Sequence, residues 1–159
     1  MLIATRSGKI NISKEKDTRL VAERLSKFIN LGDFILLTGN LGVGKTTFTK
    51  YIINSLQRIN RQAISEVPSP TFNITNEYQI KKILIKHYDL YRIKNEKELN
   101  NLGIQENLKK QITLVEWPEM VKKLKIKNII SLIFKYNKNY TERYLTIISK
   151  NKKLINEFK

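Results

Sequence analysis

Phe34-Ile35-Leu36-Leu37-Thr38, followed by Gly39-Asn40-Leu41-Gly42-Val43-Gly44-Lys45-Thr46-Thr47, is the stretch whose reading decides the fold. The five apolar-rich residues read as a strand buried on both faces. The nine that follow fit the pattern G-x-x-x-x-G-K-[ST] at every fixed position. Glycines let the backbone curl so that successive N–H groups face an anion without Cβ obstruction. A helix predicted from Lys45 to about Leu56 aims its positive N-terminus at the same anion. Lys45 then reaches the β- and γ-phosphates of a nucleotide, and the Thr46 hydroxyl is a ligand for Mg²⁺. A phosphate-binding loop built from Gly39 through Thr47 is therefore expected.

Outward from the loop, Val21, Leu25, Phe28 and Ile29 predict a helix over Lys14 to Ile29, stopped near Gly32. Thr71–Tyr78 and Lys82–Asp89 alternate like strands and form a hairpin through Gln79 to Lys81. A helical stretch over Glu96 to Leu108 leads to an apolar strand, Ile112–Glu116. Ile129–Tyr136 and Tyr144–Ile148 read as two more strands around an Asn137–Asn139 turn. Strands and helices alternate early and hairpins follow. The expectation is α/β, a single P-loop NTPase-like domain with a mixed β-sheet flanked by helices, over residues 1–150. Residues 151–159 are read as a lysine-rich C-terminal tail.

Composition narrows the chemistry. The chain has 159 residues, no cysteine and one histidine, His87. That excludes a disulfide scaffold, a thiolate zinc site and a cysteine nucleophile. No run approaches ~18 apolar residues, and the opening MLIATRSGKI lacks a basic region followed by an apolar core, so a cytoplasmic protein is expected. The net charge of +16 has two readings. One is a polyanionic partner. The other is genome bias, since Lys, Ile and Asn share AT-rich codons and lysine far outnumbers the seven arginines.

A phosphate loop that holds Mg²⁺ needs a carboxylate at the end of a neighbouring strand. Asp89 and Glu116 both qualify, although each alone also fits an ordinary acidic strand end. The [N/T]-K-x-D segment that reads guanine is absent, because Asn151-Lys152-Lys153-Leu154 lacks the Asp. ATP is the expected nucleotide. His87 reads as a strand residue packed beside Tyr88 rather than a general base, and Trp117 as a core or rim contact rather than an adenine-stacking ring. Ser69-Pro70-Thr71 fits a loop entering a strand.

Gly39-to-Thr47, Ser69-Pro70-Thr71-Phe72, His87-Tyr88-Asp89-Leu90-Tyr91-Arg92 and Val115-Glu116-Trp117-Pro118-Glu119 follow in that order. Together they resemble the TsaE family (formerly YjeE) of small bacterial ATPases. The resemblance runs from about Thr5 to the last strands. It implies an accessory, Mg²⁺-dependent ATPase that binds ATP and ADP and acts with TsaB and TsaD. That pair transfers threonylcarbamoyl to adenosine 37 of tRNAs reading codons that start with A. The resemblance further implies that ATP binding and hydrolysis reset the complex between turnovers, with tRNA met only through it. Carried over by position, Lys45 and Thr46 hold phosphate and Mg²⁺. Glu116 is similar to the family's metal-binding glutamate, and Asp89 to its second carboxylate, close to metal and attacking water. Thr71 lies in what looks like a switch segment approaching the γ-phosphate.

Two other classes compete. A small-molecule or nucleotide kinase uses the same loop but needs an acceptor pocket and an arginine-bearing lid, for which the seven arginines offer only the close pair Arg58 and Arg61. A nucleic-acid-binding module rests on charge alone and lacks aromatics interleaved along a basic stripe.

Overall fold

The computed structural model describes residues 4–159; Met1–Ile3, the start of the expected domain, lie outside the described residues. The elements in chain order are β1 (Thr5–Arg6), β2 (Ile10–Asn11), α1 (Glu15–Ser26), β3 (Phe34–Thr38), α2 (Lys45–Ile59), β4 (Thr75–Ile80), β5 (Ile83–Asp89), α3 (Glu96–Asn101), β6 (Gln111–Glu116), β7 (Ile129–Tyr136), β8 (Arg143–Ser149) and α4 (Lys152–Glu157). The sheet runs β1-β8-β7-β3-β6-β5-β4, with β2 also paired to β8. Its centre is parallel, β7 and β6 flanking β3 and β5 beside β6, while β4, β8, β1 and β2 add antiparallel edges. This is the expected mixed α/β arrangement.

Strand alternation divides the core in two. On β3, Ile35 and Leu37 join one cluster with Val21, Leu25, Phe48 and Ile52 of α1 and α2, while Phe34 and Leu36 join the other with Tyr88, Leu99 and Val115. A strand covered on both faces has to be apolar throughout, which is why residues 34–37 show no polar alternation. Each such side chain contributes about 1.5–3 kcal/mol by leaving water.

Four local expectations are corrected. The strand expected from Thr71 starts at Thr75, because residues 71–73 form a turn closed by Ile74 N–H donating to the Pro70 carbonyl. Its other end runs on to Ile80, since Lys81 takes the left-handed conformation (φ 51°) that a two-residue hairpin turn wants. The helix expected to reach Leu108 stops at Asn101; Gly103 and Asn107 adopt positive φ and a 3₁₀ turn over Leu108–Lys110 follows. Residues 151–159, read as a tail, contain α4. The Asn151 side chain caps it by accepting from the Lys153 and Leu154 N–H groups, and Leu154, Ile155 and Phe158 are buried in the α1–α2 cluster. Lysines at 152 and 153 masked that apolar face.

Candidate functional site

The loop between β3 and α2 wraps the sheet's central strand end. Its three glycines all have positive φ, but for different reasons. A Cβ on Gly39 would lie 2.8 Å from the Phe134 carbonyl oxygen on β7 and 3.0 Å from Val43 Cγ1, so close packing excludes any side chain. A Cβ on Gly42 would meet only the Tyr136 hydroxyl, at an ordinary 4.0 Å, so the position is glycine for its φ of 75°. Gly44, at φ 107°, caps α2, whose first turn carries no acidic residue to oppose the helix's positive end.

The parallel strands bring the expected carboxylates to this loop. Asp89 and Glu116, the last residues of β5 and β6, sit side by side in register. Ile85 and Leu114 face α2, so His87, Asp89 and Glu116, at even steps along the same strands, share that face. Glu116 Oε2 accepts a 2.9 Å hydrogen bond from the Thr46 hydroxyl, and Glu116 Oε1 lies 2.8 Å from His87 Nε2. The carboxylate is only 2% exposed. Asp89 Oδ1 accepts from the Tyr91 N–H at 3.0 Å.

Lys45 is buried beside these acids. Its Nζ donates to the carbonyls of Gly39 and Asn40, at 2.6 and 2.9 Å, and stands 4.0 Å from the centre of the Trp117 ring. Burial pulls its ammonium below the ordinary lysine range, while the charges of Glu116, Asp89 and Glu119 pull it back. Trp117 itself has φ 57° and packs at 4.9 Å against Tyr91. The ring thus lies over the loop lysine.

A cleft of about 270 Å³ gathers these groups. Leu41, Gly42, Gly44, Lys45, Thr46 and Thr47 of the loop and helix line it together with Asp89, Glu116 and Trp117 from the strand ends and with Ser69 and Thr71. Thr71 shares a hydroxyl–hydroxyl hydrogen bond with Ser69, and next to it Phe72 is 85% exposed under the Arg92 guanidinium. Three loop residues stand apart from the cleft. Gly39 packs on Phe134, the Val43 side chain is in the core, and Asn40 lines a second cavity of about 310 Å³ with Tyr136, Asn137 and Tyr140. The Tyr136 hydroxyl braces the loop from there, donating to the Gly42 carbonyl at 3.0 Å.

Sequence reasoning missed two connections. His87, expected to pack beside Tyr88, also bonds the strand-end carboxylate of Glu116, and the even spacing of His87 and Asp89 is the signal for it. Lys45 over Trp117 required knowing that Trp117 takes a left-handed turn, for which a tryptophan gives no hint.

The donors at the cleft are hard oxygens, the Thr46 hydroxyl and the Asp89 and Glu116 carboxylates, a set suited to Mg²⁺ rather than to softer ions. Among the described residues no cluster of three or more His, Asp or Glu forms a cage for a metal by itself. Mg²⁺ held by one or two carboxylates, a hydroxyl and substrate phosphates needs no such cage. No helix among the described residues is long and apolar enough to cross a membrane.

Known proteins share this fold and much of this sequence. The crystal structure of Bacillus subtilis YdiB superposes with a TM-score of 0.74 over 98% of this chain and 95% of that one, at 24% identity, which supports the fold. The chain is 38% identical over 113 residues to the tRNA threonylcarbamoyladenosine biosynthesis protein TsaE of Rickettsia felis, covering 71% of this chain and 64% of the relative. It is 35% identical over 141 residues to the protein of the same name from Rickettsia conorii, covering 89% and 78%. The family profile described as threonylcarbamoyl adenosine biosynthesis protein TsaE matches residues 12–145, a span that holds the whole loop and both strand-end carboxylates, and the chain belongs to that TsaE family.

Proposed function

We propose that the chain is a Mg²⁺-dependent ATP hydrolase that supports repeated formation of threonylcarbamoyladenosine at position 37 of tRNAs reading codons that start with A, acting in the cytoplasm with TsaB and TsaD. The observation that carries the hydrolase reading is the hydrogen bond from Thr46 to Glu116, which joins the loop hydroxyl to a strand-end carboxylate 70 residues away. That pair is the arrangement a nucleotide-bound Mg²⁺ requires.

The chain's own groups divide the work. The N–H groups of residues 42–47 and the N-terminus of α2 bind the β-phosphate. Lys45 exchanges its bonds to the Gly39 and Asn40 carbonyls for the β- and γ-phosphate oxygens, still beneath Trp117. Thr46, Glu116 and Asp89 hold the cation, which when bound neutralises charge developing on the phosphates. Asp89, anchored through Oδ1, also orients the attacking water. Thr71 approaches the γ-phosphate from the turn before β4.

The rim supports a protein partner. Leu41 lines the cleft, Phe72 follows Thr71 and Tyr91 packs on Trp117; all three are exposed, and a partner covering them also keeps bulk water from the phosphates. tRNA is met through that complex. Tests use purified TsaB–TsaD with tRNA and ATP. Adding this protein should carry modification from about one turnover per complex to many. Repeated modification without it refutes the accessory role, and phosphate appearing on a small-molecule acceptor instead of water identifies a kinase.

A further inference from the structure

The pair formed by His87 and Glu116 does more than pack. His87 is fully buried, Glu116 nearly so, and the 2.8 Å contact links Nε2 to Oε1 while Oε2 takes the Thr46 hydroxyl. Glu116 accepts, so Nε2 carries the hydrogen. His87 Nδ1 is then buried with no hydrogen-bond partner among the described residues. An imidazole that leaves one ring nitrogen unsatisfied is a poor choice for filling space, since any apolar side chain avoids that penalty. What the ring supplies is a single rigid N–H aimed at one carboxylate oxygen. Register sets the aim, because Asp89 pairs with Glu116 and His87 with Leu114, one pleat back on the same face.

We infer that His87 is a positioning residue that occupies Glu116 Oε1, leaving Oε2 as the single oxygen offered toward Thr46, and so biases the site to Mg²⁺ over Ca²⁺. The inference rests on the reading of Glu116 as a cation ligand. Mg²⁺ demands near-octahedral geometry and accepts one oxygen per carboxylate readily; Ca²⁺ tolerates irregular geometry and takes both oxygens of a carboxylate. With Oε1 held by His87 the second mode is closed. With His87 gone, the carboxylate turns freely about its last bond and that mode opens. Partners of this kind, behind a ligand, typically change metal affinity by ~10–100-fold.

The test titrates Mg²⁺ and, separately, Ca²⁺ into the full chain with a non-hydrolysable ATP analogue, following nucleotide binding by calorimetry. His87→Leu should weaken Mg²⁺ by ~10-fold or more and Ca²⁺ less, lowering the Mg²⁺/Ca²⁺ preference, while nucleotide affinity in chelator stays within about twofold. His87→Gln returns an N–H near the Nε2 position and should restore most of the preference; His87→Asn, whose amide stops short, should not. The contrast between Gln and Asn carries the same reading if the leucine variant does not fold. An unchanged preference in His87→Leu or His87→Asn overturns the inference, as does a loss of nucleotide affinity in chelator equal to the Mg²⁺ loss, which marks collapse of the site. Absence of Mg²⁺-dependent nucleotide binding in the wild-type protein instead overturns the reading of Glu116 on which it rests.

Discussion

Replacing Gly39 by alanine and, separately, Gly42 by alanine should separate the two uses of glycine in the loop. At Gly39 the new Cβ would meet the Phe134 carbonyl oxygen at 2.8 Å and Phe134 Cβ at 2.9 Å. Both atoms belong to β7, which is hydrogen-bonded to β3 and β8 and has no freedom to retreat. Overpacking of this kind costs about 1–3 kcal/mol, and the backbone conformation at φ 156° about 1–3 more. A central value near ~4 kcal/mol, at ~2–4 °C per kcal/mol for a domain of this size, lowers the melting temperature by about 8–16 °C. At Gly42 the nearest neighbour is the Tyr136 hydroxyl at 4.0 Å, so only the left-handed conformation is penalised, by about 1–2 kcal/mol. Thermal melting of both variants, without nucleotide, reads the difference. Equal melting temperatures would refute the assignment of Gly39 to close packing against β7.

Two further outcomes follow from burial. Tyr88 is fully buried, its hydroxyl has no partner among the described residues, and burial pushes its pKa up to about 12. A raised native value means stability present below pH ~10 is lost as pH climbs toward 12; Tyr88→Phe should melt no lower at pH 7 and flatten that alkaline decline, and an unchanged decline contradicts this. Ending the chain at Lys150 removes Leu154, Ile155 and Phe158 from the core and should destabilise the protein by about 4 kcal/mol or more, read by denaturant titration; a fall under ~1 kcal/mol would mean α4 is only appended.

Much of this architecture was legible because two periodicities are plain. The apolar run 34–37 and the loop 39–47 admit one strand, one turn and one helix, and β7 falls where its alternation places it. Asp89 and Glu116 were recognisable as strand ends, and parallel register then brings them together. What stayed hidden depends on backbone conformations that side chains do not advertise. Ile74, Lys81, Asn107 and Trp117 all take positive φ, and those four residues shift the start of β4, the hairpin turn, the approach to β6 and the ring over Lys45. The hydrogen bond from His87 to Glu116 spans 29 residues, and only the register between β5 and β6 reveals it.

The most direct test of the central claim compares phosphate release from ATP by the wild-type protein and by Lys45→Ala, with and without Mg²⁺. Lys45 is the cation held at the loop, at 2.6 Å from the Gly39 carbonyl, and the account makes it the group that meets the β- and γ-phosphates. The wild-type protein should release phosphate only with Mg²⁺, and Lys45→Ala should fall to background while melting within a few degrees of wild type. Hydrolysis by Lys45→Ala at the wild-type rate would contradict the assignment of this cleft as the site of ATP cleavage.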